Sequence, residues 1–322
     1  MVFRKYTVKK RFITIKKDDN GDRLDKIIPR HLKDLSRGRV RNLIAGGSVS
    51  VDGRRIRKNS FSVQTGQTIA VYEVPESPQN ASTPPNGSVS SDRRSGNESS
   101  RIAILFEDAW YLAVSKPAGM PSEETLQGRS GTLPHVLATE LGYGAVTIVH
   151  RLDMRTSGVM LISRKPAATK QLNRQFRERT VEKTYVALVH GAPADSACEI
   201  VSRIDRDPGD PRKYRSIDPA DSGGKEAVTR FRVLARSDRY ALLSIDILTG
   251  RTHQIRVHMA ESGHPVAGDH LYGPPDDPAP RLMLHARSIT FDCPRTGQRR
   301  TIEAPVPPVL CAYAGIDYPW QK

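Results

Sequence analysis

The sequence predicts a mixed α+β fold, preceded in the chain by a smaller α+β domain. Three observations support this prediction: many short apolar runs of strand type, few runs with helical periodicity, and no regular alternation between the two. Regular alternation would indicate a doubly wound parallel sheet, so the observed order favours a mixed sheet with flanking helices. A chain of 322 residues is long enough for two domains and a sizeable core.

The smaller domain is predicted over residues 1–74. Two helical patterns lie between residues 21 and 45, and Ser36 is the expected N-cap of the second helix. Strand-type runs follow, and Asp52-Gly53 between the first two of them is a strong signal for a tight turn. We therefore expect a compact unit of two helices and a small sheet.

Positive charge is concentrated in this part of the chain. Residues 1–72 hold 18 Lys and Arg against 6 Asp and Glu, which is +12 of the formal net charge of +15. Arg37, Arg39 and Arg41 lie on the surface of the second predicted helix that its apolar residues leave open. Because a dense basic block binds polyanions by releasing their counterions, we expect a polyanion-binding module with these arginines as contacts, the alternative being a solvated basic surface.

Residues 75–101 are expected to form a flexible linker. They are rich in Pro, Ser, Asn, Gly and charged residues, and Val89 is their only large apolar side chain. Such a segment cannot compensate for its ordering entropy by burial. Residues 102–322 then form the larger domain.

Several elements of the larger domain can be placed from the sequence. Pro166 suits the first turn of a helix, and Thr252 is the expected N-cap of another helix that ends near Gly263. The runs at 282–286 and 288–292 are expected to be a final pair of strands.

A short polar turn between two apolar runs is the most promising place for chemistry. It holds Asp153 between Arg151 and Arg155, and the flanking runs at 145–149 and 159–163 are of strand type. In an arbitrary protein such a carboxylate most often forms surface ion pairs of little energetic value. The turn by itself therefore makes Asp153 a candidate and no more.

Several other kinds of site find little support in the sequence. His253 and His258 are five residues apart, which does not place both on one helical face, and no H-E-x-x-H motif occurs, so we expect no metal. No glycine-rich phosphate loop of either common type is present. A Ser/His/Asp triad is not excluded by spacing, but Ser157 lacks the context of a nucleophile elbow. Lys116 suits a structural role better than a catalytic or phosphate-binding one.

Cysteine usage and hydropathy bear on the cellular compartment. Neither a disulfide framework nor a C-x-x-C motif can be built from three widely separated cysteines, which we expect to be small buried side chains. No apolar run approaches the length of a membrane span, and the first residues lack a secretory signal. We therefore expect a cytoplasmic protein.

Three segments resemble, in family order, the signature segments of the RluA-type pseudouridine synthases. They are residues 150–158, residues 183–191 and residues 249–258, extended by residues 263–269 and by Tyr272-Gly273. The resemblance covers residues 102 to about 310. One difference lies at residues 120–123, where the family commonly carries an apolar pair and a His.

The basic N-terminal region has a resemblance of its own. Residues 23–26, 35–37 and 47–53 are similar to the pattern of the S4 RNA-binding domain. This resemblance implies that the second helix, with Arg37, Arg39 and Arg41, faces RNA. An S4-like domain ahead of the synthase domain is the arrangement of the family members that act on large-subunit ribosomal RNA.

The resemblance implies an activity and a set of roles. The enzyme would isomerise uridine to pseudouridine in RNA without a cofactor, on a mostly antiparallel central sheet. Asp153 would be catalytic, acting either as a nucleophile at C1′ or as a base that promotes a glycal intermediate. Arg256 would be its guanidinium partner, with Arg251 as the less favoured choice. Tyr185 would stack on the uracil, and Arg151 would enter the RNA stack in place of the flipped base.

The expected partner is ribosomal RNA, bound by a monomer without membrane association. Transfer RNA is the alternative substrate. From a different class, the chain could be a noncatalytic RNA-binding factor for ribosome assembly on the same fold, but the presence of Asp153, Tyr185 and Arg256 argues against that function.

Overall fold

The computed structural model describes residues 4–7, 9–45, 49–52, 54–56, 58–73, 102–124, 128–144 and 146–317. The N-terminal elements are β1 (Arg4–Thr7), β2 (Lys9–Thr14), α1 (Leu24–His31), α2 (Arg37–Ala45), β3 (Val49–Val51), β4 (Arg54–Arg55) and β5 (Thr68–Glu73). The middle elements are β6 (Ala103–Glu107), β7 (Tyr111–Lys116), α3 (Leu133–Thr139), β8 (Thr147–Ile148), β9 (Ser157–Ser163), α4 (Pro166–Glu178) and β10 (Glu182–His190). The C-terminal elements are β11 (Ala197–Arg206), β12 (Tyr214–Ile217), β13 (Lys225–Arg236), β14 (Tyr240–Ile247), α5 (Gln254–Glu261), β15 (Leu284–Asp292), β16 (Arg299–Glu303) and α6 (Val309–Ala312).

The chain divides into two compact units. The first comprises residues 1–76, 187–283 and 309–322, and the second comprises residues 77–186 and 284–308. Strand β10 begins in the second unit and ends in the first. The linker predicted at 75–101 lies outside the described residues, and the three-part division of the chain stays a prediction.

Within the first unit, β2, β3, β5, α1 and α2 surround one hydrophobic core. An antiparallel sheet in the order β2-β5-β3-β4 packs with α1 and α2. The core is formed by apolar side chains from both helices and from the strands: Ile13, Ile15, Leu24, Ile27, Ile28, Leu35, Val40, Leu43, Ile44, Val49, Val51, Ile56, Val63, Ile69 and Val71. The predicted cap is confirmed, since the Ser36 hydroxyl accepts a hydrogen bond from the Arg39 amide at 3.2 Å.

The first unit also contains part of a larger sheet, with strands in the order β1-β11-β13-β14. One side of β11 pairs with β13, and its other side pairs with β1 over residues 198–201 and with β12 over residues 203–206. Helix α5 packs on this sheet, and all eight of its residues are buried. A helix buried on every side keeps its side chains fixed, which is important for Arg256.

The second unit is built on strands in the order β15-β9-β7-β6, with β8 paired to β9 and β16 paired to β15. All seven residues of β9 are buried. At the start of β9, Gly158 has φ +122°, and a Cβ there would collide with the backbone of Ala286 on β15. Only glycine allows so close an approach of two strands directly after the polar turn.

The mixed α+β class with a mostly antiparallel sheet is confirmed, but two local predictions are wrong. The runs at 282–286 and 288–292 belong to one strand, β15, because the half-buried Arg287 and Ser288 continue it without a turn. Thr252 does not cap α5: His253 is the N-cap, with φ +57° and no side-chain cap.

Candidate active site

Asp153 lies in the turn between β8 and β9, as predicted. The Thr156 amide donates a hydrogen bond to the Asp153 carbonyl at 3.0 Å, which closes the turn. The side chain of Asp153 is half-buried. The strands on either side therefore present a carboxylate at the margin of the sheet, accessible to a ligand and still held by ordered backbone.

Lys116 anchors this turn through hydrogen bonds from its buried ammonium to backbone carbonyls. Its ammonium is fully buried and donates to the carbonyls of Pro117, Met120 and Met154 at 3.0, 2.8 and 3.1 Å. The Gly119 amide adds a hydrogen bond to the Met154 carbonyl at 2.8 Å. The three donors of an ammonium suit three convergent carbonyls, so Lys116 has the structural role that the sequence favoured.

Ser122 fixes the residue that precedes Asp153. Its hydroxyl donates to the Leu152 carbonyl at 2.7 Å and accepts from the Leu152 amide at 3.1 Å, and both residues are buried. Ser122 lies in the segment that differs from the family pattern. The sequence identified that difference but gave no reason to connect it with the turn.

Arg151 is exposed on the same turn. Its Nη1 lies 3.5 Å from Oε2 of Glu123, and the two side chains are 64% and 45% exposed. An ion pair this exposed contributes little energy. The guanidinium can therefore leave Glu123 for a ligand at small cost.

The negative charge of Asp153 acts on the phenol of Tyr185. Tyr185 lies on β10 and is only 7% exposed. Burial raises the pKa of its phenol well above the ordinary value, and the negative charge of Asp153 raises it further. The second unit thus holds a carboxylate whose charge acts on a buried, protonated phenol, while the roles of both residues stay a prediction.

Arg256 is held by a carboxylate that the sequence did not single out. Its Nε and Nη2 donate to the two carboxylate oxygens of Asp269 at 2.7 and 2.9 Å, and both side chains are buried. The guanidinium carbon lies 5.1 Å from the ring centre of Tyr272. Asp269 also accepts from the amides of Leu271 and Tyr272. Its partnership with Asp269 is observed in the first unit, while a partnership of Arg256 with Asp153 stays a prediction.

The charge of this pair is stabilised from several sides. Burial opposes ionisation of Asp269, but the hydrogen bond and charge of Arg256 and the two amides outweigh it and lower the pKa of the carboxyl. Arg256 and Asp269 are 13 residues apart in the chain and lie in two segments that resemble the family. Only the folded structure shows that these two side chains form a bidentate ion pair.

The less favoured Arg251 has another partner. Its Nε donates to the Glu226 carbonyl at 2.8 Å, and its amide donates to the Gln254 side chain at 3.0 Å. These bonds fix the start of α5, next to the left-handed His253. The arrangement is consistent with a structural contribution of Arg251 to the position of Arg256.

The predicted RNA contacts on α2 fall into two groups. Arg37 and Arg41 donate to the buried carboxylate of Asp25 at 3.1 and 3.2 Å. Arg39 lies elsewhere: a Cβ on Gly263 would be 3.6 Å from its Nη1. Its charge also lowers the pKa of His264, after the larger effect of burial.

Other kinds of site can be checked over the residues that the structure describes. No group of three or more His, Cys, Asp or Glu among them could hold a metal ion. In the same part of the chain, no helix is long and apolar enough to cross a membrane. The three cysteines are free and buried, as expected.

The chain resembles known proteins over most of its length. Residues 110–261 match the family described as RNA pseudouridylate synthase, and residues 22–69 match the S4 domain. The chain is 33% identical to the ribosomal large subunit pseudouridine synthase D of Neisseria meningitidis serogroup B, over 95% of this chain and 83% of that protein. It is 31% identical to the ribosomal large subunit pseudouridine synthase C of Vibrio vulnificus, over 92% and 93%.

A solved structure gives the same result for the fold. The human RNA pseudouridylate synthase domain containing 1 superimposes with a TM-score of 0.57 at 29% identity, over 66% of this chain and 87% of that chain. Fold, site and similarity together define an RNA-modifying enzyme with an S4 domain. The chain belongs to the RNA pseudouridine synthase family, and the resemblance of its signature segments is confirmed.

Proposed function

We propose that this enzyme converts specific uridines of large-subunit ribosomal RNA to pseudouridine, with Asp153 as the catalytic group. The observation that carries the proposal is the half-buried carboxylate of Asp153 in a strand-flanked turn, whose negative charge acts on the buried phenol of Tyr185. The choice of RNA rests on the names of the relatives from Neisseria meningitidis and Vibrio vulnificus. The reaction would take place in the cytoplasm, and the enzyme would act as a monomer.

The reaction needs no net addition of atoms. The C1′–N1 bond breaks, the uracil turns, a C1′–C5 bond forms, and C5 loses the proton that N1 gains in exchange with solvent. An ionised Asp153 supports either an attack on C1′ or abstraction of a ribose proton, and both routes stay open. Protein side chains are sufficient for every step.

Access to C1′ requires that the target nucleotide leave the base stack. Unstacking costs a few kcal/mol, which contacts to the flipped base and to the gap must supply. Arg151 is suited to fill that gap, because it is exposed and its ion pair with Glu123 is weak. Tyr185 offers a ring face to the uracil, and its raised pKa keeps the phenol protonated.

Arg256 would complete the site as the guanidinium partner of Asp153. The two hydrogen bonds from Arg256 to Asp269 fix the plane of the guanidinium. A neighbouring cation favours the ionised form of Asp153 that both routes need. In this arrangement residues 102–322 form the catalytic domain, residues 1–74 dock the RNA, and residues 75–101 connect them.

The test is a comparison of wild type with Asp153→Asn on ribosomal RNA that lacks pseudouridine. Wild type should form pseudouridine at a few positions, and the variant should form none while its RNA affinity changes by less than about threefold. An active Asp153→Asn enzyme would refute the catalytic assignment. Wild type that binds RNA but modifies neither ribosomal nor transfer RNA would favour the noncatalytic assembly factor, and modification of transfer RNA alone would favour the other substrate.

A further inference from the structure

Three arginines of the N-terminal region surround one buried carboxylate. Asp25 lies in the first turn of α1 and its side chain has no exposed surface. It accepts hydrogen bonds from Nε and Nη2 of Arg23 at 3.0 and 3.4 Å, from Nη2 of Arg37 at 3.1 Å and from Nε of Arg41 at 3.2 Å. We call these four residues the Asp25 cluster.

The cluster directs its positive charge outward. The side chains of Arg23, Arg37 and Arg41 are 42%, 50% and 49% exposed, although the carboxylate between them is buried. Burial opposes ionisation of Asp25, but the three arginines outweigh it and lower the pKa of the carboxyl. At neutral pH the cluster therefore carries a net charge of +2 on an ordered surface.

Helical geometry explains which arginines take part. Arg37 and Arg41 are four residues apart on α2 and so share one face. Arg39 lies between them on another face, where it approaches Gly263. The sequence treated the three arginines of α2 as equivalent, but the structure separates Arg39 from the other two and adds Arg23 from the start of α1.

We propose that the Asp25 cluster is a preformed site for the phosphate groups of one RNA strand, and that Asp25 is its positioning residue. The proposal rests on the proposed function, which supplies RNA as the partner. A guanidinium has five N–H donors, and the bonds to Asp25 use two of Arg23 and one each of Arg37 and Arg41. The other donors are suited to phosphate oxygens in the planar, bidentate geometry that arginine favours.

Preorganisation gives Asp25 a function that a simple count of charges would miss. A flexible arginine loses rotamer entropy when it binds a phosphate, whereas an arginine already held by Asp25 has lost most of it on folding. If only net charge mattered, Asp25→Asn would strengthen RNA binding, because it makes the domain more positive. If Asp25 positions the arginines, the same change weakens binding. The two explanations thus predict opposite signs.

The experiment measures binding of the full chain to protein-free large-subunit ribosomal RNA at several salt concentrations. We expect Arg23→Gln, Arg37→Gln and Arg41→Gln each to lower the affinity and to reduce the salt slope by about 0.7–0.9, the value for one lost phosphate contact. Asp25→Asn should weaken binding by about fivefold or more. This fold-change corresponds to roughly 1 kcal/mol of binding free energy, because a tenfold change corresponds to about 1.4 kcal/mol. Circular dichroism and thermal unfolding verify that each variant is folded.

Arg30→Gln is the matched control. Arg30 is also half-exposed and paired, with Asp19 and Asp22 at 3.1 and 2.8 Å, and its substitution removes the same charge from the same region. We expect its affinity to change by less than twofold. An equal effect of Arg30→Gln, or unchanged or tighter binding by Asp25→Asn, would overturn the proposal.

Two further measurements keep the outcome unambiguous. If Asp25→Asn does not fold, Arg37→Lys and Arg41→Lys carry the test, since they keep the charge but lose the planar fork; wild-type affinity in both would reject the site. Uridine isomerisation is assayed separately on wild type. Loss of RNA binding in the arginine variants supports the cluster even if wild type proves inactive, so failure of one proposal is distinguishable from failure of the other.

Discussion

Asp269 accepts hydrogen bonds from both Nε and Nη2 of Arg256, and both side chains are buried. This geometry fixes the plane of the guanidinium as well as its position. The ring of Tyr272 lies beside it, and the hydroxyl of Tyr272 accepts or donates a hydrogen bond with His253 at 2.8 Å. The orientation of Arg256 is therefore a property of several segments of the first unit.

We predict that Asp269→Asn lowers kcat by about tenfold or more, equivalent to 1.4 kcal/mol of transition-state stabilisation, with a smaller change in KM. It should also destabilise the protein by about 3–5 kcal/mol, because a buried arginine loses its counterion. Steady-state kinetics and urea unfolding measure the two effects. Glu199→Gln, which breaks the ion pair with Arg230 on β11 and β13, should reduce stability but leave kcat unchanged. A normal kcat in Asp269→Asn would exclude a positioning role.

Lys116→Met should loosen the turn that carries Asp153. Three carbonyls lose a charged donor, so we expect a loss of stability of roughly 3 kcal/mol and a lower kcat. Chemical denaturation and single-turnover kinetics are the measurements. Lys165→Met is the control, since Lys165 is exposed and lies 5.5 Å from the ring of Trp110, where its loss should cost less than about 1 kcal/mol. Equal effects of both variants would contradict the proposed anchor.

Gly158→Ala should be far more damaging than Gly119→Ala. Both glycines have a positive φ, +122° and +88°, but only at Gly158 does an added Cβ meet the backbone of Ala286. We expect about 1–2 kcal/mol for the backbone strain at Gly119, and more than about 4 kcal/mol at Gly158, where β9 and β15 must separate. Thermal unfolding distinguishes the two values. Similar melting temperatures would show that the strands can yield.

His258 should make the protein sensitive to acid. It is fully buried, with its ring nitrogens 2.9 and 2.8 Å from the hydroxyls of Ser202 and Thr229, and burial lowers its pKa from 6.5 to about 3. In the unfolded chain the imidazole of His258 is protonated below about pH 6.5, whereas in the folded chain it stays neutral down to about pH 3. The free energy of unfolding therefore decreases as the pH falls from 6.5 towards 3. Between pH 8 and pH 5 this amounts to about 2 kcal/mol.

The matching experiment is urea unfolding of wild type and His258→Gln at the two pH values. The variant should be less stable at pH 8 but should lose about 2 kcal/mol less than wild type on going to pH 5, because all other titrations are shared. A parallel decline of both proteins would mean that His258 is protonated in the folded state.

Local sequence patterns predicted the helices α1 and α2 because hydrophobic periodicity and capping residues determine where a helix forms. The apolar periodicity of residues 21–45 defined α1 and α2, and Ser36 capped the second helix as expected. Strands β11 and β12 were not predicted, since polar and charged residues interrupt their apolar residues without a regular period. Tertiary pairing stabilises such strands more than their own propensity does.

In the candidate site, too, individual residues could be predicted from the sequence, but their contacts with distant segments could not. Family-like segments predicted roles for Asp153, Tyr185 and Arg256 one by one, and the pKa of the Tyr185 phenol is raised by burial and, to a smaller extent, by the charge of Asp153. The ion pair between Arg256 and Asp269 and the hydrogen bonds between Ser122 and Leu152 could not be predicted. Each depends on groups from separate segments that meet in three dimensions.

Strand β1 has a consequence for how the protein behaves outside its native context. It covers the backbone of residues 198–201 on the side of β11 that faces away from β13, directly before the part covered by β12. A truncated chain that begins at residue 102 would leave this stretch of strand edge with unsatisfied amides and carbonyls, which is a template for self-association. Light scattering should therefore detect aggregates of the truncated protein, so that point variants, rather than deletion, are the sound way to dissect its N-terminal region.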